Sequence, residues 1–207
     1  MELKYKRILL KLSGEALAGE KKSGFDEAVI ASICGGIRKA HDLGVQIGIV
    51  VGGGNFWRGR SSGKMDRMDA DKIGMLATVM NALAVKDALR QQGVPAVVMT
   101  SAVMPQVAET FTSDKAIAAL EAGTIVVFGG GTGNPIFSTD TASALRALEI
   151  SADAMLKATM VDGVYDKDPH KYPDAVRYET LTFTKVLDER LAVMDSTAAS
   201  LCRDNDL

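Results

Sequence analysis

Residues that build metal centres and disulfide scaffolds are scarce: the 207-residue chain has two cysteines, Cys34 and Cys202, and two histidines, His41 and His170. The cysteines lie far apart with no Cys-x-x-Cys partner, so neither a zinc site nor a disulfide framework is expected, only free thiols in a reducing compartment. Long apolar runs are lacking as well. Lys4, Lys6 and Arg7 precede Ile8-Leu9-Leu10, but Lys11 ends that run far short of a signal-peptide core. No stretch approaches the ~20 apolar residues that span a bilayer, and a cytoplasmic location is expected. Charge of one sign is missing too: 24 Lys plus Arg stand against 26 Asp plus Glu, a formal net charge of −2. Nothing in that balance favours nucleic acid or an anionic membrane, so any phosphate binding must be local.

The familiar nucleotide signatures are also absent. There is no Gly-x-x-x-x-Gly-Lys-Ser/Thr, no Gly-x-Gly-x-x-Gly after a strand, and no His-Arg-Asp or Asp-Phe-Gly. P-loop, dinucleotide-binding and protein-kinase readings therefore fall.

What is present is apolar and glycine-punctuated. Ile8–Leu12 runs into Ser13-Gly14, Val45–Val51 into Gly52-Gly53-Gly54, and Thr124–Phe128 into Gly129–Gly133. Such runs predict buried parallel strands with ligand-facing turns. Val97–Met99 and Ala154–Ala158 read as further strands. Helices are predicted after an Asp26 N-cap, over Asp69–Gln92 with Ile73, Leu76, Met80, Leu83 and Leu89 as its buried stripe, after a Ser113 cap, from near Asp140, and near 184–191 and 195–203. This alternation implies an α/β/α sandwich whose sheet is mainly parallel, with ligands beyond the carboxyl ends of its strands. One domain over residues 1–207 is expected.

Gly52-Gly53-Gly54-Asn55 followed by Arg58 supplies a possible anion cradle and a cation, although a structural turn would look the same. Lys11 and Lys157 stand inside apolar strands, where an ammonium is costly unless paired, aimed at an anion, or reaching solvent from an edge. With Arg58 they could surround a transferring phosphoryl group. Phosphoryl transfer needs positioning and charge neutralisation more than covalent help, and a phosphate acceptor requires no base. That suits a chain whose histidines read as surface or structural. Asp140 and Asp195 have surroundings that fit either chemistry or helix capping, and Asp162 fits an Asp-Gly turn.

Lys11-Leu12-Ser13-Gly14-Glu15, the Gly52–Asn55 turn, the run GMLATVMN from Gly74 to Asn81, Thr132-Gly133-Asn134-Pro135 with Phe137–Asp140, and Lys157-Ala158-Thr159 before Val161–Tyr165 together resemble the UMP kinases of the amino acid kinase family. The match is ordered and covers nearly the whole chain. The resemblance implies a nucleoside-monophosphate lobe over about 1–150 and an ATP lobe over about 151–207. It places UMP on Gly53, Asp71, Thr132, Gly133, Asn134, Pro135, Ile136, Phe137, Ser138 and Thr139. It places ATP on Lys11, Leu12, Ser13, Gly14, Gly54, Arg58, Thr159, Tyr165 and Asp168. Catalytic roles fall to Lys11, Arg58, Lys157, Asp140 and Asp195, with Mg²⁺ arriving on ATP and no residue assigned as a metal ligand. A homohexamer, UTP inhibition and GTP activation are further implications, the last through a region that Lys86, Asp87 and Arg90 match only in part. The family continues past Asp204-Asn205-Asp206-Leu207 with an apolar strand, a short helix and a Gly-Thr-containing strand, so missing C-terminal strands are expected, with a weaker hold on ATP. Two rival readings remain: an amino acid kinase acting on a carboxylate or carbamate, and a non-enzymatic oxyanion-binding or storage protein on the same fold.

Overall fold

The computed structural model describes residues 3–58, 63–159 and 161–207. The principal strands are β1 (Arg7–Leu12), β2 (Gln46–Val51), β3 (Ala96–Thr100), β4 (Glu109–Thr110), β5 (Ile125–Gly129) and β6 (Ala154–Lys157). They form one sheet in the order β4-β3-β5-β2-β1-β6, and every pairing is parallel. Around it run α1 (Gly14–Ala18), α2 (Glu27–Asp42), α3 (Arg67–Gln91), α4 (Ser113–Glu121), α5 (Thr139–Glu149), α6 (Phe183–Asp188) and α7 (Ser196–Asp204). A small antiparallel hairpin, β7 (Val164–Tyr165) with β8 (Arg177–Tyr178), lies outside the sheet. The three-layer α/β/α architecture read from the sequence is the one observed.

Alternation along each strand divides the core in two. Ile8, Leu12, Ile47, Ile49, Val51, Ile125 and Val127 pack with Ile30, Cys34 and Ile37 of α2 and Val85 and Leu89 of α3. Leu9, Val50, Val126 and Phe128 pack on the other face with Ala116 and Leu120 of α4 and Ala147 and Ile150 around α5. Burial on both faces is why these strands read as unbroken apolar runs.

The inner face of α3 departs from expectation. Ile73, Leu76 and Met80 are 38%, 53% and 46% exposed, whereas Ala77, Val79, Ala82, Val85 and Leu89 are buried. The cause is close approach. A Cβ at Gly129 would come within 3.1 Å of Val79 Cα, and one at Gly53 within 2.7 Å of the Gly74 carbonyl. Only small side chains fit where α3 passes these glycines, and there Ile73, Leu76 and Met80 turn outward, while Leu89 farther along the helix is buried as expected.

Three helix starts also shift. Asp66 caps α3 through Met68 and Asp69 N–H, Thr112 caps α4 where Ser113 was expected, and Ser138 caps α5 where Asp140 was a candidate. The short α1 and strands β4, β7 and β8 had no forecast, being too short for a periodic pattern. Lys11 lies in β1, between β2 and β6, so it is no edge lysine.

Asp195 caps α7 by accepting from Ala198 N–H at 3.0 Å, takes the Thr141 hydroxyl at 2.9 Å, and accepts a hydrogen bond from Ser138. It therefore fastens the starts of α5 and α7. Burial pushes its carboxyl upward, but the bonds from Ser138, Ala198 and Thr141 outweigh that and leave it below the ordinary 3.8. Stability from this carboxylate is full above the ordinary value and is lost as pH falls through the lowered one. Replacing an N-cap by Ala costs about 1 kcal/mol, or about 2–4 °C in a chain of this size. Thermal melting of Asp195→Ala should show a deficit at least that large at neutral pH, shrinking below the carboxylate range. A deficit independent of pH would contradict the assignment.

Candidate functional site

All the parallel strands of the sheet end on one edge, and there the chain builds a cleft of about 490 Å³. Its walls come from four segments: Lys11 and Ser13–Glu15 after β1; Gly52–Gly54, Trp57 and Arg58 after β2; Arg67, Asp71, Gly74, Met75 and Thr78 on α3; and Gly131, Thr132, Asn134 and Ile136–Thr139 between β5 and α5.

The first two segments touch so closely that glycine is obligatory. A Cβ at Gly14 would lie 2.2 Å from the Gly52 carbonyl oxygen and 2.7 Å from Asn55 Oδ1. Neither Gly53 nor Gly54 donates a backbone hydrogen bond among the described residues, so both N–H groups remain available to an anion. The start of α5, lined by Ser138 and Thr139, adds the positive end of an 11-residue helix to the same cleft.

Charges are arranged in pairs. Asp140, in the first turn of α5, reaches Lys11 at 3.2 Å and Lys157 at 2.8 Å; these side chains are 17%, 14% and 21% exposed. Lys157 also donates to the Val193 carbonyl. One carboxylate thus holds two strand-end ammonium groups that would otherwise repel. Arg58 pairs with Glu15. Arg67 pairs with Asp71 at 2.8 Å, and the same Asp71 oxygen accepts Ile136 N–H at 2.8 Å. Ile136 has φ +79, an uncommon value for a β-branched residue, so that bond holds the loop in a constrained shape. Buried Arg146 braces the loop from beneath: it pairs with Glu149, stacks 4.1 Å from the Phe111 ring centre, and donates to the Gly131 carbonyl at 3.3 Å.

The candidate residues separate by their place relative to the cleft. Lys11, Ser13, Gly14, Gly53, Gly54, Arg58, Asp71, Thr132, Asn134, Ile136, Phe137, Ser138 and Thr139 line one cleft. Asp140 and Lys157 stand behind it, Asp140 paired with both Lys11 and Lys157, and Asp195 reaches it through Ser138. Leu12 is buried in the core, and Gly133 packs against Ser101. Pro135, Thr159, Tyr165 and Asp168 are outside the lining. Thr159 bonds the Val161 carbonyl, the Tyr165 hydroxyl donates to Asp162 at 2.6 Å, and Asp168 accepts His170 N–H. The Tyr165 bond is the main reason the Asp162 carboxyl lies below its usual value and the Tyr165 phenol above its own. His41 is structural, its Nε2 lying 2.8 Å from the Gly123 carbonyl.

Arg67, Trp57, Met75 and Thr78 were not foreseen. Arg67 could have been found from its i,i+4 spacing to Asp71. Thr78, whose hydroxyl accepts Gly130 N–H at 2.8 Å, lies within the GMLATVMN run. Trp57 gave no signal beyond its place beside Arg58. Among the described residues no three His, Cys, Asp or Glu side chains converge as a metal site would require.

A family model described as the amino acid kinase family matches residues 6–207. A UMP kinase structure from Bacillus anthracis superposes with a TM-score of 0.93 at 40% identity, covering 97% of this chain and 84% of that one. A UMP kinase from Ureaplasma parvum gives 0.93 at 36% identity, covering 99% and 88%. An aspartate kinase from Synechocystis shares the fold alone, at 18% identity and a TM-score of 0.74, covering 96% of this chain and 36% of that one.

The contact between the two turns is open to direct test. Gly14→Ala forces a methyl group onto the Gly52 carbonyl, and overpacking of this kind costs about 1–3 kcal/mol, or roughly 2–4 °C for each. Melting should fall accordingly, and the emission of Trp57, the sole tryptophan, should no longer respond to added nucleotide. An unchanged melting point would mean that the turns are not in contact.

Proposed function

This chain belongs to the amino acid kinase family, and we propose that it transfers the γ-phosphoryl group of MgATP to UMP, giving ADP and UDP. The observation that carries this reading is the joining, in one cleft, of the Gly53-Gly54 cradle and Lys11 with Asp71 and the Thr132–Thr139 loop. The UMP kinases at 36–40% identity over nearly the whole chain support the same acceptor.

In this reading the phosphate of UMP rests on Gly53 N–H and the start of α5 at Thr139. Asp71 takes a ribose hydroxyl, and the loop from Thr132 to Ser138 frames the base. ATP lies along Lys11, Ser13, Gly14, Gly54 and Arg58, with Thr159, Tyr165 and Asp168 toward its adenine end. An anionic oxygen of the UMP phosphate attacks the γ-phosphorus, and the bond to the oxygen bridging to ADP breaks. No proton moves, so the shortage of histidine is no obstacle. Lys11 and Arg58 neutralise the charge on the oxygens in transit, while Asp140 sets where Lys11 and Lys157 stand.

Magnesium would supply further neutralisation of the β- and γ-phosphates. Both carboxylates lining the cleft, Glu15 and Asp71, already pair with arginines, which fits a metal carried by phosphates and water rather than by a protein cage.

Two further features belong to the proposal. The outward stripe of Ile73, Leu76 and Met80 supports self-association, with a homohexamer as the expected form. Lys86 and Arg90 border a second cavity of about 230 Å³, which supports an effector site for GTP, with UTP competing at the UMP site. No helix among the described residues is long and apolar enough to cross a membrane, and a cytoplasmic location is proposed.

Coupled measurement of ADP formation with UMP, CMP, acetylglutamate or no acceptor tests the reading. UMP should be preferred over CMP in kcat/KM, since a base edge left unpaired in a buried site discriminates strongly. Comparable values for both nucleotides, or turnover with acetylglutamate alone, would overturn it. Lys11→Met should lower kcat on the order of a hundredfold, whereas Asp71→Ala should raise KM for UMP and leave KM for ATP nearly unchanged. An equal rise in both KM values would make Asp71 a fold residue.

A further inference from the structure

Asn81 lies on the sheet-facing side of α3, is 0% exposed, and is paired with Asn55, which is 2% exposed. A buried carboxamide is costly unless its donors are met, and here all four donor hydrogens have partners. Asn81 Nδ2 donates to the Gly52 carbonyl at 2.6 Å and to Asn55 Oδ1 at 2.7 Å. Asn55 Nδ2 donates to Asn81 Oδ1 at 3.0 Å and to the Gly24 carbonyl at 2.9 Å. The two amides form a closed reciprocal pair beneath the Gly52–Gly54 turn.

The consequence follows from the planarity of the peptide. In a trans peptide the C=O of one residue and the N–H of the next point in opposite directions, and no cis bond occurs among the described residues. Asn81, which is fully buried and does not line the cleft, draws the Gly52 carbonyl toward α3. The N–H in the same peptide unit belongs to Gly53, and it must face the other way. Gly53 lines the cleft, and its N–H has no backbone partner among the described residues. The preceding peptide is pinned as well, because Gly52 N–H donates to the Leu12 carbonyl at 3.0 Å. Glycine at 52 and 53 leaves this turn intrinsically free to rotate; these two bonds fix the peptides on either side of Gly52, while Phe56 and Trp57 N–H, each donating to the Gly53 carbonyl at 3.0 Å, fix the one that follows.

We infer that Asn81 is a positioning residue for the acceptor phosphate: through the Gly52 carbonyl it turns the Gly53 N–H into the cleft. The inference rests on the UMP reading given above and adds to it a buried residue that touches neither nucleotide. Because it acts through one donor at the acceptor end, its loss falls on UMP and spares ATP.

The test is steady-state kinetics of Asn81→Ser and Asn81→Asp in the full chain, beside Val85→Ala. Val85 is fully buried on the next turn of the same helix, and its side chain packs in the apolar core while only its backbone carbonyl accepts a polar bond, from the Cys34 thiol, so truncating it reproduces a loss of packing and leaves the Asn81–Gly52 bond in place. Asp at 81 keeps the size of the side chain but sets a carboxylate against the Gly52 carbonyl. Both Asn81 variants should raise KM for UMP about tenfold or more, with KM for ATP within about threefold of the parent. Val85→Ala should lower the melting temperature and leave both KM values near the parent's. Equal rises in KM for UMP and ATP, or no rise in either, would overturn the inference, as would a Val85→Ala variant with the same UMP-selective defect. Failure of one variant to fold leaves the comparison to the other, and failure of both would overturn the assignment by making Asn81 a residue of the fold. Absence of UMP-dependent turnover in the parent chain would instead remove the functional reading itself, and the inference with it.

Discussion

The arrangement at the strand ends depends on one carboxylate between two ammonium groups. Lys11 belongs to β1 and Lys157 to β6, adjacent strands in register, where Lys11 pairs with Lys157 across the sheet. Like charges placed side by side in a partly buried layer repel, and the two lysine side chains are only 14% and 21% exposed. Asp140 resolves this by standing between them, and because it occupies the first turn of α5 it also brings the positive end of that helix to the same place. The ion triad therefore fixes three elements relative to one another. Asp140 stands in the first turn of α5, past the cap position that Ser138 fills, which leaves its oxygens to the lysines.

A second constraint is closeness. The turns after β1 and β2 meet with no room for a Cβ, and α3 comes down on both β2 and β5 through glycine, alanine and valine. This proximity creates a cleft whose walls are backbone as much as side chain, which suits oxyanions, for which N–H groups are the natural partners. It also turns Ile73, Leu76 and Met80 of α3 outward. The binding edge and the outward stripe thus share one cause.

Much of the fold was legible because doubly buried parallel strands leave a strong mark: unbroken apolar runs, each closed by glycine. The ordered motifs located the cleft, and nearly every residue assigned to UMP lines it. The residues that escaped prediction are those whose role depends on packing distance. The apolar residues of α3 at helical spacing predicted the buried face correctly at Leu89 but not at Ile73, Leu76 and Met80, because periodicity cannot tell which stripe meets a glycine-lined surface. Asp140 and Asp195 each read equally well as cap or as chemistry. Only three-dimensional contacts separate them, giving Asp195 the cap of α7 and Asp140 the lysines. Thr159, Tyr165 and Asp168 follow β6 and bond within their own segment, so their proposed role toward ATP rests on the resemblance rather than on the cleft.

In the proposed mechanism the Asp140 carboxylate sets the two lysines for phosphoryl transfer. The most direct measurement is kcat of Asp140→Asn at saturating MgATP and UMP, with the melting temperature taken alongside. A loss on the order of a hundredfold is expected, comparable to removing one charge-stabilising donor, with KM for UMP close to the parent's. A variant that melts like the parent and retains its kcat would contradict the account.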